Sequence, residues 1–103
     1  MIIYKVTIHI KKDLKKEWLS WMKHEHIPEI MNLKIFTKSR FFKILYPCDK
    51  MQETYNSYCI EYYCRSLFNY NLYQKKYAEK LQKKHSIKYE NKFKATREIL
   101  EEL

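Results

Sequence analysis

Residues 2–10 alternate between apolar side chains and more polar ones. Isoleucine, tyrosine and valine occupy the even positions, whereas Ile3, Lys5, Thr7 and His9 occupy the odd ones. A period of two with many β-branched residues predicts a strand that buries one face. Such a strand must pack its apolar face against helices or against a second sheet.

The next segment changes to a helical period. Five residues recur at intervals of three and four and therefore share one face of a helix, namely Leu14, Trp18, Trp21, Met22 and Glu25. Asp13 is expected to cap the N-terminus of this helix. Pro28 lacks a backbone donor and disfavours helical geometry at Ile27, so we expect the helix to end or kink near residues 25–27. A short second turn should then run to Met31.

Two strands and a second helix follow. Residues 35–45 and 54–64 are rich in aromatic and β-branched side chains, and Pro47 and Asp49 lie between them, which predicts an antiparallel hairpin. Ser66 is a candidate N-cap for the second helix. The inward face predicted for that helix consists of Leu67, Tyr70, Gln74, Tyr77 and Leu81.

Residues 93–100 alternate again and predict a last strand, while the path of residues 84–92 stays open. The order βαββαβ predicts a single α+β domain over residues 1–103 with the ferredoxin-like arrangement, a four-stranded antiparallel sheet with two helices on one face. The other face is expected to carry Ile3, Thr7, His9, Tyr55, Cys59, Glu61, Tyr63 and Arg97. Monomers seldom expose so aromatic a face, so a second copy should cover it and a homodimer is expected.

The net charge of +9 raises the question of nucleic-acid binding. Only Arg40, Arg65 and Arg97 among the 21 basic residues are arginine, the residue that recognises bases and phosphates with two hydrogen bonds. The excess of lysine and the lack of glycine are also typical of an AT-rich coding sequence. Nucleic acid is therefore not the expected partner, although it stays an open alternative.

The chain shows no phosphate loop, nucleophile elbow or metal-ligand spacing, so no cofactor and no metal are expected. His24 and His26 are two positions apart and diverge on a helix. Cys48, Cys59 and Cys64 are odd in number and are expected to be reduced thiols. No membrane-spanning run or secretory signal is visible, so we expect a cytoplasmic protein.

Several segments resemble one family of short bacterial proteins that is common in the Bacteroidetes and is known only as a domain of unknown function. The matching residues are 3–8, 17–23, 26–31, 36–37, 54–55 and 93–97. The most specific part is Trp-x-x-Trp-Met at residues 18–22, followed by His-Ile-Pro at residues 26–28. The chain departs from the family where Glu90 and Asn91 replace a glycine turn and where Thr96 replaces an aromatic residue.

The family is similar to the dimeric α+β barrel group, in which two ferredoxin-like sheets face each other. That group includes cofactor-free monooxygenases, lactone isomerases and stress proteins, so the resemblance implies a fold and not a reaction. In some of these enzymes a histidine in a similar His-x-Pro context lines the cleft and transfers protons, which makes His26 a candidate at the mouth of a cleft. Alternatively, His26 ends the helix and packs beside Trp18 or Trp21.

Glu25 is the second candidate catalytic group. It falls on the apolar face of an ideal helix, where burial would raise the pKa of its carboxyl and suit it to acid or base catalysis. A kink before Pro28 could instead turn the carboxylate into water. The sequence does not choose between these positions.

Three functions are open on the sequence. The first is a homodimer that binds or transforms a small organic molecule in a cleft between the sheet and the first helix. The pocket is expected to be lined by Trp18, Trp21, Tyr63, His9, His26 and Arg97. The second is a structural or interaction module, in which Arg97 pairs with Glu61 or with the partner subunit. The third is a weak RNA-binding protein, although residues 54–63 carry Glu61 and no glycine where RNA-recognition domains stack bases.

Overall fold

The computed structural model describes residues 1–47 and 53–103, so the predicted turn residue Asp49 and the thiol of Cys48 lie outside the described residues. The strands are β1 (Ile2–Lys11), β2 (Lys38–Lys43), β3 (Tyr55–Cys64) and β4 (Phe93–Glu101). The helices are α1 (Lys15–Trp21), α2 (Ile27–Met31), α3 (Leu67–Lys76) and α4 (Ala78–Lys88). This order confirms the predicted ferredoxin-like fold.

The four strands form one antiparallel sheet in the order β2-β3-β1-β4. The hairpin of β2 and β3 is confirmed, although β2 is shorter than residues 35–45 because Phe36 leaves the strand and enters the core. All helices lie against one face, which we call the covered face. The even-numbered residues of β1 point to it and are buried, as the alternation predicts. No helix in the described ranges is long and apolar enough to cross a membrane.

The predicted interruption of the first helix near Pro28 takes the form of a wider helical turn, and the predicted short second turn to Met31 is α2. Residues Met22–His26 form a π-helical turn, in which Ile27 donates its N–H to the carbonyl of Met22, five residues earlier. Pro28 then occupies the first turn of α2, where its missing donor costs little. The wider turn allows the chain to continue as a helix through the position at which a regular α-helix would clash with the proline ring.

The second helix begins as predicted, since the hydroxyl of Ser66 accepts a hydrogen bond from the N–H of Asn69 at 3.2 Å. Its predicted inward face is wrong in part. The helix breaks at Tyr77, which displaces the buried positions that follow, whereas Leu67 and Gln74 lie before the break and face water regardless of it. Leu67, Gln74 and Tyr77 are exposed, and the buried positions are Tyr73, Ala78, Leu81, His85 and Tyr89.

The segment before β4, which the sequence left open, continues α4 to Lys88 and then turns. Asn91 adopts a positive φ of 62° there. Asparagine tolerates this left-handed conformation better than most other non-glycine residues, so the chain can turn here without glycine. The chain therefore enters β4 with Phe93, Ala95 and Arg97 on the covered face, opposite Ile10, Ile8 and Val6.

Candidate functional site

The π-helical turn sets the position of His26. The extra residue in the turn rotates the end of the helix, so that the imidazole points between the helices and the sheet and is only 7% exposed. Its ring stacks on Trp21 with the centroids 4.7 Å apart and an interplanar angle of 19°. Nδ1 of His26 is buried and has no hydrogen-bond partner among the described residues. Burial, opposed in part by Glu29 and assisted by Lys84, lowers the pKa of His26 to about 4.

His85 on α4 lies beside His26, with the two ring centroids 5.9 Å apart. Its Nε2 accepts a hydrogen bond of 2.8 Å from the indole N–H of Trp18. Because indole can only donate, neutral His85 must carry its own proton on Nδ1. Burial, together with the neighbouring His26 and Arg97, lowers the pKa of His85 to about 3. Both imidazoles are therefore neutral near pH 7.

A cavity of about 30 Å³ lies between the helices and the covered face and touches His26, His85 and Arg97. Sites for organic ligands typically measure about 300 to 1,000 Å³, so this cavity can accept water but no organic molecule. The side chains of Met22, Phe93 and the two histidines fill the space in which a cleft was predicted. The space between the sheet and the first helix is therefore too small for the predicted ligand cleft, and that His26 lies at the mouth of a functional cleft stays a prediction.

Glu25 lies in water, which resolves the alternative that the sequence left open. It borders an outer depression of about 450 Å³ that also includes Trp21 and the edge of His26. An ion pair of 2.6 Å between Lys84 and Glu29 lies at the same depression. That Glu25 or His26 transfers protons stays a prediction, and both residues border this solvent-accessible depression.

The other predicted ligand-binding residues do not gather at one place. Trp18 and Trp21 lie on the covered side, whereas His9 and Tyr63 lie on the opposite side of the sheet, which we call the open face. Arg97 was predicted on the open face, but the register of β4 places it on the covered one. It therefore cannot pair with Glu61, which lies on the other side.

The open face carries two hydrogen-bonded pairs. Nδ1 of His9 lies 2.6 Å from the hydroxyl oxygen of Ser57, its neighbour across the strands. The hydroxyl of Tyr63 donates to the carboxylate of Glu61 at 2.5 Å, and this bond is the main reason that the pKa of Tyr63 is raised. The sequence identified His9 and Tyr63 but not Ser57. Ser57 lies two residues before Cys59 on a strand whose side chains alternate between the two faces. That spacing places both residues on the same face and could have identified Ser57.

A row of alternating charges crosses the middle of the open face. The strand register places Arg40 beside Glu61, Glu61 beside Lys5, and Lys5 beside Glu98. We call these four residues the charge row. Among the described residues the single ion pair is that of Lys84 with Glu29, so the charges of the row are not paired within the chain. The row was missed because it depends on a register that pairs residues up to 93 positions apart, Lys5 with Glu98.

A depression of about 380 Å³ adjoins the charge row on the open face. Thr7, His9 and Cys59 form its floor, and Tyr46 stands at its wall with 90% of its surface exposed. The depression exists because small side chains occupy the centre of the face, where β3 and β1 meet. In the described part of the chain no three His, Cys, Asp or Glu residues are grouped as metal ligands.

Comparison with known families matches the whole chain, residues 1–103, to the model of Domain of unknown function (DUF4286). The chain belongs to this family. No functionally curated protein matches it. The family membership agrees with the resemblance seen in the Trp-x-x-Trp-Met and His-Ile-Pro segments, both of which build the buried histidine site described above.

Solved structures similar to this DUF4286 chain share its fold. An ethyl tert-butyl ether d (ethd) family protein from Bacillus halodurans has a TM-score of 0.65 at 14% identity, with both chains fully covered. A protein from Arabidopsis thaliana has a TM-score of 0.71 at 10% identity, covering 100% of this chain and 96% of that one. A dimeric ferredoxin-like protein from an uncultured marine organism has a TM-score of 0.67 at 11% identity, covering 99% and 97%. At these identities the comparison shows the fold alone.

Proposed function

We propose that this protein is a homodimer that binds a small organic molecule, and that the open face of the sheet is the dimer interface. The observation that carries the proposal is the charge row, because its order of charges is complementary to its own copy. Further support comes from the solved structure of similar fold that is described as dimeric.

A homodimer usually has a twofold axis, so the interface must match itself. Consider an axis that lies between the two facing sheets, over the boundary between β3 and β1, and runs parallel to the strands. The partner's strands then lie over this chain's strands in reverse order, so that the partner's β4 covers β2 and the partner's β1 covers β3. Arg40 then faces the partner's Glu98, and Glu61 faces the partner's Lys5. If the axis ran along the row, each residue would face its own copy and like charges would meet. The charge row therefore selects the axis that is parallel to the strands.

Apolar contacts support the same interface. Ile3 lies between Tyr63 on β3 and Leu100 on β4. The ammonium of Lys38 lies 4.6 Å from the centroid of the Tyr63 ring, which is a cation–π contact. Phe42 at the other side of the charge row is 42% exposed. Covering these side chains removes apolar surface from water, while the charge row specifies how the two faces are aligned.

Charge reversal tests both the dimer and its axis. We expect the wild-type protein to sediment at twice the chain mass of 12.9 kDa. Arg40→Glu should raise the dimer dissociation constant by about tenfold to a hundredfold, because it places like charges opposite each other at two symmetric positions. Analytical ultracentrifugation over a concentration series measures this constant. Lys83→Glu, which makes the same charge change on an exposed helical position, is the matched control and should leave it unchanged.

The double variant Arg40→Glu/Glu98→Arg gives the sharper result, and it should dimerise more tightly than either single variant. Arg40 and Glu98 lie on the two edge strands, about 14 Å apart at roughly 4.8 Å per strand, so they interact little within one chain at physiological salt. Recovery must therefore come from contact between chains. A monomeric wild type would refute the proposal, and a double variant weaker than both singles would refute the axis.

The other two functions stay predictions. A purely structural or interaction module would use the same dimer without a ligand. For RNA binding, the open face does present Tyr55 and Tyr63 on β3, but Glu61 lies between them and repels phosphate. Neither alternative is favoured by an observation of its own.

A further inference from the structure

On one side of the charge row, the centre of the open face carries small side chains, while Phe42 lies at the β2 edge in the row of Cys59. Cys59, Thr7 and Thr96 form one row across β3, β1 and β4, and Ser57, His9 and Lys94 form the next. Facing sheets lie about 10 Å apart, and large side chains from both normally fill that space. Serine, threonine and cysteine leave part of it empty, as the depression of about 380 Å³ indicates.

Dimerisation about the proposed axis closes this depression. An axis parallel to the strands places each row over the same row of the partner, so Thr7 faces the partner's Cys59 and both are small. The two depressions then join into one chamber at the centre of the dimer. Such an enclosed space, with apolar walls and a few polar groups, has the character of a small-molecule site.

The polar group in this chamber is the pair of His9 and Ser57. Ser57 is only 3% exposed and holds Nδ1 of His9 at 2.6 Å, which fixes the orientation of the ring. A hydroxyl can accept or donate, so this bond can persist whether or not the imidazole is charged. Nε2 is then the ring nitrogen that remains for a ligand.

The charge around the pair is positive. Lys94 lies beside His9 on β4, and Lys11 follows His9 on the same face of β1. Glu98, the acidic residue among the described residues that line the depression, belongs to the charge row and faces the partner's Arg40 in the proposed dimer. Lys94 and Lys11 lie next to the residues that line the depression, and the ammonium of Lys94 is 5.6 Å from the centroid of the Tyr55 ring. Once the row is neutralised between the chains, these lysines give the end of the chamber at His9 an excess of positive charge.

We infer that the dimer binds a small carboxylate between its two sheets, at the His9–Ser57 pair and beside Lys94. This inference rests on the proposed dimer, because one chain supplies only half of the chamber. His9 donates to the carboxylate, Lys94 supplies charge, and Tyr46 and Cys59 contact the organic part. The expected ligand is a compact, partly apolar molecule with a single carboxylate.

The experiment titrates the wild-type dimer with acetate, benzoate and butyrate, and with acetamide, benzamide and butyramide as uncharged controls of similar shape. Amide chemical shifts in two-dimensional NMR report the site. We expect saturable shifts at Ser57, His9 and Lys94 with at least one carboxylate and none with the corresponding amide. Lys94→Glu should weaken this binding at least tenfold, whereas Lys83→Glu on the helical side should not.

The outcomes separate the two proposals. If the wild type is dimeric and no carboxylate shifts these residues at millimolar concentration, the carboxylate site is refuted and the dimer stands. If the monomeric fraction of Arg40→Glu binds as tightly as the wild type, the site is not formed between chains and the inference is wrong. If the wild type is a monomer, both proposals fail together.

Discussion

Replacing Trp18 with alanine is expected to lower the free energy of unfolding by about 3 to 5 kcal/mol. The indole is fully buried and touches three separate elements, with ring centroids 5.8 Å from Phe41, 5.1 Å from Tyr58 and 6.3 Å from His85. Its removal leaves a cavity and also leaves Nε2 of His85 without its donor. Because small domains are stable by only about 5 to 15 kcal/mol, this single change could unfold the protein at physiological temperature.

Two further variants separate packing from hydrogen bonding. Trp18→Phe keeps much of the ring but removes the indole donor, so it should cost about 1 to 3 kcal/mol. Trp21→Ala should cost less than Trp18→Ala, because Trp21 is half-buried at the outer side of the histidines. Urea unfolding followed by circular dichroism measures all three. A loss below about 1 kcal/mol for Trp18→Ala would show that the Trp18–His85 contact does not stabilise the core.

The ferredoxin-like fold could be predicted because local patterns decide most of it. The alternation in β1, the helical recurrence from Leu14 to Met22 and the Ser66 cap each depend on residues close in the chain. Together they predict the element order, and the order leaves few compact arrangements. The even-numbered face of β1 was assigned to the core on this basis and is buried.

Details that depend on backbone irregularity could not be predicted in this way. Pro28 indicated that the first helix ends or kinks, but not that the irregularity is a π-helical turn. The second helix breaks at Tyr77, where no proline or glycine marks the position. The break moves Ala78 and His85 inward, so a regular period of 3.6 residues carried through Tyr77 misassigns positions beyond it.

The sites required tertiary information. The indole of Trp18 and the imidazole of His85 are 67 positions apart in the chain, and no local pattern joins them. The charge row likewise depends on strand register, since a shift of one residue would move Lys5 or Glu98 to the other face. Arg97 illustrates the error that follows, because its face was inferred from alternation without the register.

Lowering the pH from 7 to 5 is expected to reduce the free energy of unfolding by about 2 kcal/mol for each buried histidine, or roughly 4 kcal/mol in total. The pKa falls from the ordinary value of 6.5 to about 4 for His26 and to about 3 for His85. Above pH 6.5 both rings are neutral in the folded and unfolded chains alike. Below it the unfolded chain binds protons that the folded chain does not, so stability is lost as the pH falls towards 4.

Chemical unfolding at intervals of pH between 7 and 5 measures this loss. His26→Gln removes one of the two titrating rings, so it should reduce the slope against pH by about half even though it also lowers stability at pH 7. His24→Gln is the matched control, because His24 lies two residues away with its ring exposed, and it should leave the slope unchanged. A slope as steep in His26→Gln as in the wild type would mean that His26 is not buried neutral. The packing of His26 against Trp21 and His85, away from water, would then be refuted.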